Sequence, residues 1–304
     1  DNVPKSSSSP SISWDFIKGF SGTGASIQPK LLELQSGTSY LIVPTDLGLS
    51  IVSENGDVVS TYVARAAVID FEMISDINED GWKDLVIIIL ENQNPNVICI
   101  DSRLGKSIWK FNPIIAGFDV PSVQPKNLTT RSWDVAKIKD INNDLIPDLV
   151  VSSWYRLYAL SGKDGSVIWK VEDKTIFLDD IFRVLTIPDT SDYDKIILGT
   201  ELGGLYFLNS KTGQKLWNNS IPKIKIPLLE GINAVEKEYP VSVCDLYFKD
   251  NMILATANDG YIYMFDTLGN RVASQMIFNI TRPSTPLYDF YQNGQIYDYN
   301  VRLF

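Results

Sequence analysis

Residues 134–171 read DVAKIKDINNDLIPDLVVSSWYRLYALSGKDGSVIWKV, and this stretch decides the fold. Four short apolar runs follow one another in it: VAKIK, LVVSS, RLYAL and SVIWKV. An Asp/Asn loop, a short polar turn and a Gly-Lys-Asp-Gly turn separate them. Runs rich in Val, Ile, Tyr and Trp, bounded by Gly, Asn and Asp, read as strands. Four consecutive antiparallel strands make one small sheet. Such a sheet cannot bury both its faces alone, so it needs copies of itself to pack against.

The copies are present. A strand, a Gly-containing turn, and a strand with Trp four residues after the Gly recur as VICIDSRLGKSIWKF at 97–111, LYALSGKDGSVIWKV at 157–171 and LYFLNSKTGQKLWNN at 205–219. Weaker copies are LSIVSENGDVVSTYV at 49–63 and IYMFDTLGNRVASQM at 262–276, and SISWDF at 11–16 is an isolated last-strand fragment. The anchor positions Trp14, Ser60, Trp109, Trp169, Trp217 and Ala273 lie 46 to 60 residues apart. That is close to the length of one propeller blade. A second hairpin precedes each of the five, so complete blades are expected at about 26–65, 69–112, 131–172, 180–220 and 240–278.

The expected fold class is therefore all-β: a single β-propeller of four-stranded antiparallel blades, occupying residues 11–304 behind a Ser/Pro-rich linker at 1–10. The tail carries another hairpin signal, Asn293-Gly294. Pairing it with SISWDF would complete a sixth blade and close the ring, removing two exposed edges. A ring of seven or eight blades, or a fragment of a larger one, is the alternative.

Composition narrows the function. The 304 residues carry a formal net charge of −10, which disfavours nucleic acid as a partner, because phosphate binding needs a basic footprint. There is no histidine. Ser-His-Asp and Cys-His catalysis, His-ligated zinc and His-ligated haem are thereby excluded. Cys99 and Cys244 lie in apolar runs of different repeats and read as buried free thiols. No run approaches the roughly 18 apolar residues that cross a membrane as a helix, so no membrane insertion is expected within this chain.

The hairpin motif resembles the quinoprotein-type (PQQ-like) propeller repeat, Ala-x-Asp-x-x-x-Gly-x-x-x-Trp, with LYALSGKDGSVIWK at 157–170 the nearest copy. The resemblance implies that each Trp docks between blades. The first hairpins of the second and third blades resemble the FG-GAP repeat of integrin-type propellers, which carries an Asp-rich calcium loop. Together these resemblances cover most of residues 26–278. Quinoprotein dehydrogenases have more blades, a calcium beside the quinone, a catalytic Asp and, in many, a vicinal disulfide. This chain is about half their length and has no adjacent Cys pair, so no redox catalysis is expected, nor any enzymatic activity.

The Asp/Asn loops are the sharpest candidate site. Asp76, Asn78, Asp80 and Asp84 place oxygen side chains at positions 1, 3, 5 and 9, with the Trp82 carbonyl at 7. Asp140, Asn142, Asp144 and Asp148, with the Ile146 carbonyl, repeat the pattern. Calcium takes six to eight oxygens, and a tight loop with alternate side chains turned inward supplies them. Gly81 suits the sharp turn after the third ligand, whereas Leu145 stands there in the second loop. An Asx-rich solvated turn is the other reading. Blade four has only the misregistered IPDTSDYDKI at 187–196.

Two long connections, 112–130 and 218–240, are expected to carry function. The second contains the basic, apolar run IPKIKIPLL, which makes Lys223, Ile224, Lys225 and Ile226 the first choice for a protein partner's contact. Copies of the chain itself are possible partners. Trp133, Trp154 and Tyr155 are the candidates for the alternative function, carbohydrate binding or processing, with a glycan as ligand. Sequons at Asn127, Asn218 and Asn279 fit glycosylation and an extracellular, cell-surface or secretory-lumen setting. The expected function is a non-enzymatic, calcium-stabilised scaffold for protein–protein interaction or surface assembly.

Overall fold

The computed structural model describes residues 29–34, 36–45, 47–91, 94–113, 133–172, 180–230 and 233–277. Within them the chain forms five sheets of four antiparallel strands, each a simple meander. The first contains β1 Lys30–Glu33, β2 Ser39–Thr45, β3 Gly48–Ser53 and β4 Val58–Val63. The second contains β5 Val68–Met73, β6 Leu85–Glu91, β7 Asn94–Asp101 and β8 Lys106–Phe111. The third contains β9 Val135–Ile138, β10 Asp148–Ser153, β11 Arg156–Leu160 and β12 Val167–Val171. The fourth contains β13 Ile181–Ile187, β14 Lys195–Thr200, β15 Gly204–Asn209 and β16 Lys215–Ser220. A two-stranded hairpin follows, β17 Ile224–Glu230 and β18 Asn233–Tyr239. The fifth sheet contains β19 Val243–Lys249, β20 Met252–Ala257, β21 Tyr261–Asp266 and β22 Arg271–Met276.

The strand periodicity of two explains how these sheets stack around a common axis. Successive side chains point to opposite faces, so a sheet can pack against two neighbours, as the second, third and fourth do. In β6, Leu85, Ile87 and Ile89 enter a cluster shared with the first sheet. Val86 and Ile88 enter one shared with the third. In β14, Ile196 and Leu198 face the third sheet and Ile197 faces the fifth. The first strands of adjacent blades lie beside one another, β5 by β9, β9 by β13 and β13 by β19. They are the innermost strands, and the fold is a β-propeller.

The Gly-x-x-x-Trp repeat is the seam between blades. The indole N–H of Trp109 donates to the Gly162 carbonyl at 2.9 Å, that of Trp169 to Ser210 at 2.8 Å and that of Trp217 to Thr267 at 3.0 Å. Each Trp thus reaches the last turn of the next blade, about 41 to 53 residues onward. Gly165 shows why that turn needs glycine. Its φ is +73°, and an added Cβ would stand 2.5 Å from the Trp109 ring. Gly213 and Gly269 meet Trp169 and Trp217 in the same way. At the first seam Ser60 replaces Trp, and Gly105 sits against the Thr61 backbone instead.

The connection at 218–240, expected as a loop, is largely the β17–β18 hairpin. Its register runs from Ile224 opposite Tyr239 to Glu230 opposite Asn233. The alternation I-K-I had carried a strand signal. Both cysteines are buried and neither is in a disulfide, and burial pushes the Cys99 thiol far above its usual range. Among the described residues no helix is long and apolar enough to cross a membrane. The linker at 1–10, SISWDF, the 114–130 part of the first long connection, the Asn293-Gly294 hairpin, Asn127 and Asn279 lie outside the described residues.

Candidate metal loops and docking surfaces

Both Asp/Asn loops join the first and second strands of their blades, on one side of the ring. Each is tied by its own carboxylates. The Asp76 side chain accepts the N–H groups of Asp80 (3.1 Å) and Gly81 (2.7 Å). Asp140 accepts those of Asn143 (2.6 Å), Asp144 (3.2 Å) and Leu145 (2.7 Å). Position 9 closes the loop from its far end: Asp84 accepts the Ile77 N–H and Asp148 the Ile141 N–H, each at 2.7 Å. Position 7 plugs a seam. Trp82 packs against Tyr40 of the first blade, with ring centroids 4.6 Å apart, and Ile146 packs into the cluster between the second and third blades.

The two backbones are alike despite Leu145. Glu79 and Gly81 have φ of 60° and 90°, and Asn143 and Leu145 have 65° and 72°. A left-handed leucine costs about 1–2 kcal/mol, and Leu145 is 90% exposed, so no packing offsets it. The carboxylate pattern imposes the turn on a residue that disfavours it.

The loops differ in how their acids are satisfied. In the third blade one oxygen each from Asp140, Asp144 and Asp148 falls within 4.8 Å of the others. Neighbours hold them there: the Ser161 hydroxyl donates to Asp144 (3.0 Å) and the Gly162 N–H to Asp148 (3.2 Å). In the second blade the equivalent turn presents Asp101 and Ser102. Asp84, with no exposed surface, keeps Oδ1 without a hydrogen-bond partner, and Asp80 Oδ2 and the Ser102 hydroxyl are buried and unpartnered too. Buried polar atoms without partners are expensive and ask for an explanation. Among the described residues no lysine or arginine forms an ion pair with the acids of either loop.

Electrostatics agrees with this crowding. Burial pushes the Asp84 carboxyl up to about 6; the Ile77 N–H opposes the rise, and Asp101, Asp76 and Asp80 add to it. Burial likewise takes Asp148 to about 6, against the N–H groups of Ile141 and Gly162 and with help from Asp144 and Asp140. The donor set of carboxylates, an amide and a carbonyl suits a hard divalent cation. Asp101 was missed as a member of this neighbourhood. It is the Asp of the repeat motif, and its place before the turn was the available signal.

A second constellation lies on the innermost strands. Asp70 Oδ2 accepts the Val135 N–H at 2.9 Å, and Asp134 Oδ2 accepts the Val184 N–H at 2.7 Å. Burial, then the adjacent Asp70, holds the Asp134 carboxyl well above the usual range. Arg183 Nε and Asp245 Oδ1, 3.7 Å apart, continue the row. Asp70 and Asp134 are each committed to the next blade's backbone, and Asp245 to the preceding blade's Arg183, so the row braces adjacent blades.

Trp133 is 3% exposed and belongs to the core. Trp154 leans on it with centroids 5.8 Å apart, and the Arg156 guanidinium lies over the Tyr155 ring. Lys223 and Lys225 are exposed, whereas Ile224 packs into the cluster of the fourth and fifth blades and anchors the hairpin. The Ile226 backbone belongs to β17. Lys225 and Glu238 pair across the hairpin at 4.0 Å. Asn218 is exposed on β16.

Residues 133–226, about a third of the chain, match the family model described as outer membrane protein assembly factor BamB. No curated protein matches the sequence. The structure is similar to BBS1N in complex with ARL6DN, at TM-score 0.57 and 12% identity over 86% of this chain and 72% of that one. It is also similar to the C-terminal WD40 domain of Sif2, at TM-score 0.52 and 12% identity over 82% of this chain and 57% of that one. BamB from Moraxella catarrhalis gives TM-score 0.49 at 15% identity, over 83% of this chain and 65% of that one. The chain thus spans under two thirds of the BamB and Sif2 structures. The first two likenesses show the propeller fold. The match to residues 133–226 agrees with the quinoprotein-type repeat, while the FG-GAP resemblance rests on the loop residues alone.

Proposed function

We propose that this propeller is a non-enzymatic, calcium-braced scaffold outside the cytoplasm that presents the β17–β18 hairpin to a protein partner. The observation that carries the reading is the hairpin itself. It lies between the fourth and fifth blades in chain order, pairs with neither flanking sheet among the described residues, and exposes Lys223 and Lys225, the latter beside Glu238, on an acidic molecule. A lone two-stranded hairpin is marginal in water, and its free edges offer main-chain groups to a strand of another protein. The matched family description and the BBS1N–ARL6DN complex name proteins that work in assemblies; this supports the reading by analogy of fold.

Calcium would be held by Asp140, Asn142, Asp144, Asp148 and the Ile146 carbonyl in the third blade. In the second, Asp76, Asn78, Asp80, Asp84 and the Trp82 carbonyl would hold it, with Asp101 adjacent. Bound there, the ion supplies positive charge to acids that the protein leaves unneutralised, and it stabilises the folded ring by mass action. Sub-millimolar affinity fits an extracellular or periplasmic calcium level.

The test replaces residues 223–239 with a short Gly/Ser turn. The shortened protein should keep its calcium-dependent melting and lose capture of its partner in crosslinking from intact cells. Capture that survives the replacement removes the hairpin as the contact surface. Melting that ignores a chelator removes calcium.

A further inference from the structure

The loop of the fourth blade, residues 188–194, occupies the place of the two Asp/Asn loops but is two residues shorter than 139–147. It is also acidic, with Asp189, Asp192 and Asp194. Asp194 stands immediately before β14, as Asp84 stands before β6, and is 5% exposed. Its surroundings differ in one respect. Asp84 and Asp148 close onto an N–H of their own loop. Asp194 Oδ2 accepts the N–H of Lys139, from the blade before, at 2.8 Å.

The Lys139 side chain follows its backbone into this loop. Its ammonium donates to the carbonyls of Asp189 at 2.6 Å and Ser191 at 2.8 Å, and stands 3.7 Å from Asp194 Oδ1. Two carbonyls and a carboxylate around one positive charge form the kind of hard-oxygen set that a divalent cation takes. An ammonium has three donors and can use such a set. Of the other two carboxylates, Asp189 pairs with Lys195 at 3.3 Å and Asp192 is exposed to solvent. The fourth-blade loop therefore meets two lysines, Lys139 from the third blade and Lys195 from its own.

We propose that the ammonium of Lys139 is the resident cation of the fourth-blade loop, filling a place that would otherwise admit a divalent metal ion. The loop is a latent calcium site closed by a lysine from the neighbouring blade. Because Lys139 directly precedes Asp140, one residue boundary separates the strap to blade four from the metal loop of blade three. The proposal rests on the calcium reading above only in its choice of probe.

The test is Lys139→Met, with Lys211→Met as a control for loss of an exposed lysine. Melting is followed in chelator and in millimolar calcium, and bound calcium is counted by native mass spectrometry. In chelator Lys139→Met should melt about 2–4 °C below the parent, and Lys211→Met should not. In calcium Lys139→Met should hold one ion more than the parent and recover part of its melting loss. Equal melting in chelator overturns the proposal, and so does an unchanged ion count. A parent that binds no calcium sinks the reading of the other two loops by itself. In that case one ion on Lys139→Met still upholds the resident lysine, and none overturns it. Lys139→Gln is read by the same count should the Met variant not fold.

Discussion

The third- and fourth-blade loops stand in the same place of the same repeat, and both are acidic. In the third, Asp140, Asp144 and Asp148 converge within 4.8 Å and meet no lysine or arginine among the described residues. In the fourth, Asp194 receives Lys139 and Asp189 receives Lys195. Acidity alone does not separate a candidate metal loop from a strap. The origin of the compensating positive charge does: in the fourth blade it comes from Lys139, 50 residues before Asp189 in the chain, and from Lys195 beside the loop.

The contrast can be broken most forcibly at the seams. Trp109 donates to the Gly162 carbonyl, and the Gly162 N–H holds Asp148. Trp109→Ala should cost about 3–5 kcal/mol in urea unfolding and weaken calcium binding by the third-blade loop. Trp169→Ala, at the next seam, should destabilise and leave that affinity unchanged. Equal loss of affinity in both variants would mean the seam does not support the site.

A smaller effect comes from the acids themselves. Asp148→Ala strands the buried N–H groups of Ile141 and Gly162, at about 1–3 kcal/mol, and should remove one calcium from the native mass spectrum. Asp194→Ala should also lower the melting temperature but leave the calcium count at the parent value or below.

Proton competition gives the next effect. Without calcium, the folded-state pKa of Asp148 is raised to about 6. Its contribution to stability is therefore full below about pH 4 and lost as the pH rises through about 6. Calcium needs the ionised form, so its affinity should be level above pH 6 and fall about tenfold per pH unit below it. Titration calorimetry between pH 5 and 8 reads this, and a flat profile would place the ion elsewhere.

The smallest effect sharpens the comparison within the third blade. Leu145→Gly relieves a left-handed residue and should stabilise by about 1 kcal/mol, with calcium affinity unchanged because the turn is already left-handed without the ion. A loss of stability would show that the Leu145 side chain contributes to the loop after all.

Much of the fold was legible because its determinants are local. Alternation of two marks the strands, and the glycine turns mark the hairpins. Trp109, Trp169 and Trp217 mark the repeat, since each must find the same partner one blade onward. The Asp/Asn loops were legible for the same reason, as their ties run within nine residues. The hairpin at β17–β18 was read as a connection because a lone pair of strands has no counterpart in the repeat. Asp101, Lys139 and the Asp70–Asp134 row were not singled out. Their partners lie in another turn or another blade, and no spacing in the chain announces which one.

The sequence by itself thus determined a ring of repeated four-stranded sheets and two loops rich in oxygen ligands, because strand period, turn chemistry and loop ligation are short-range. It did not determine which acids remain uncompensated. Only the packing of blade on blade decided that, since charge is neutralised across space, and Lys139 could be assigned to its oxygens only once the third and fourth sheets lay side by side.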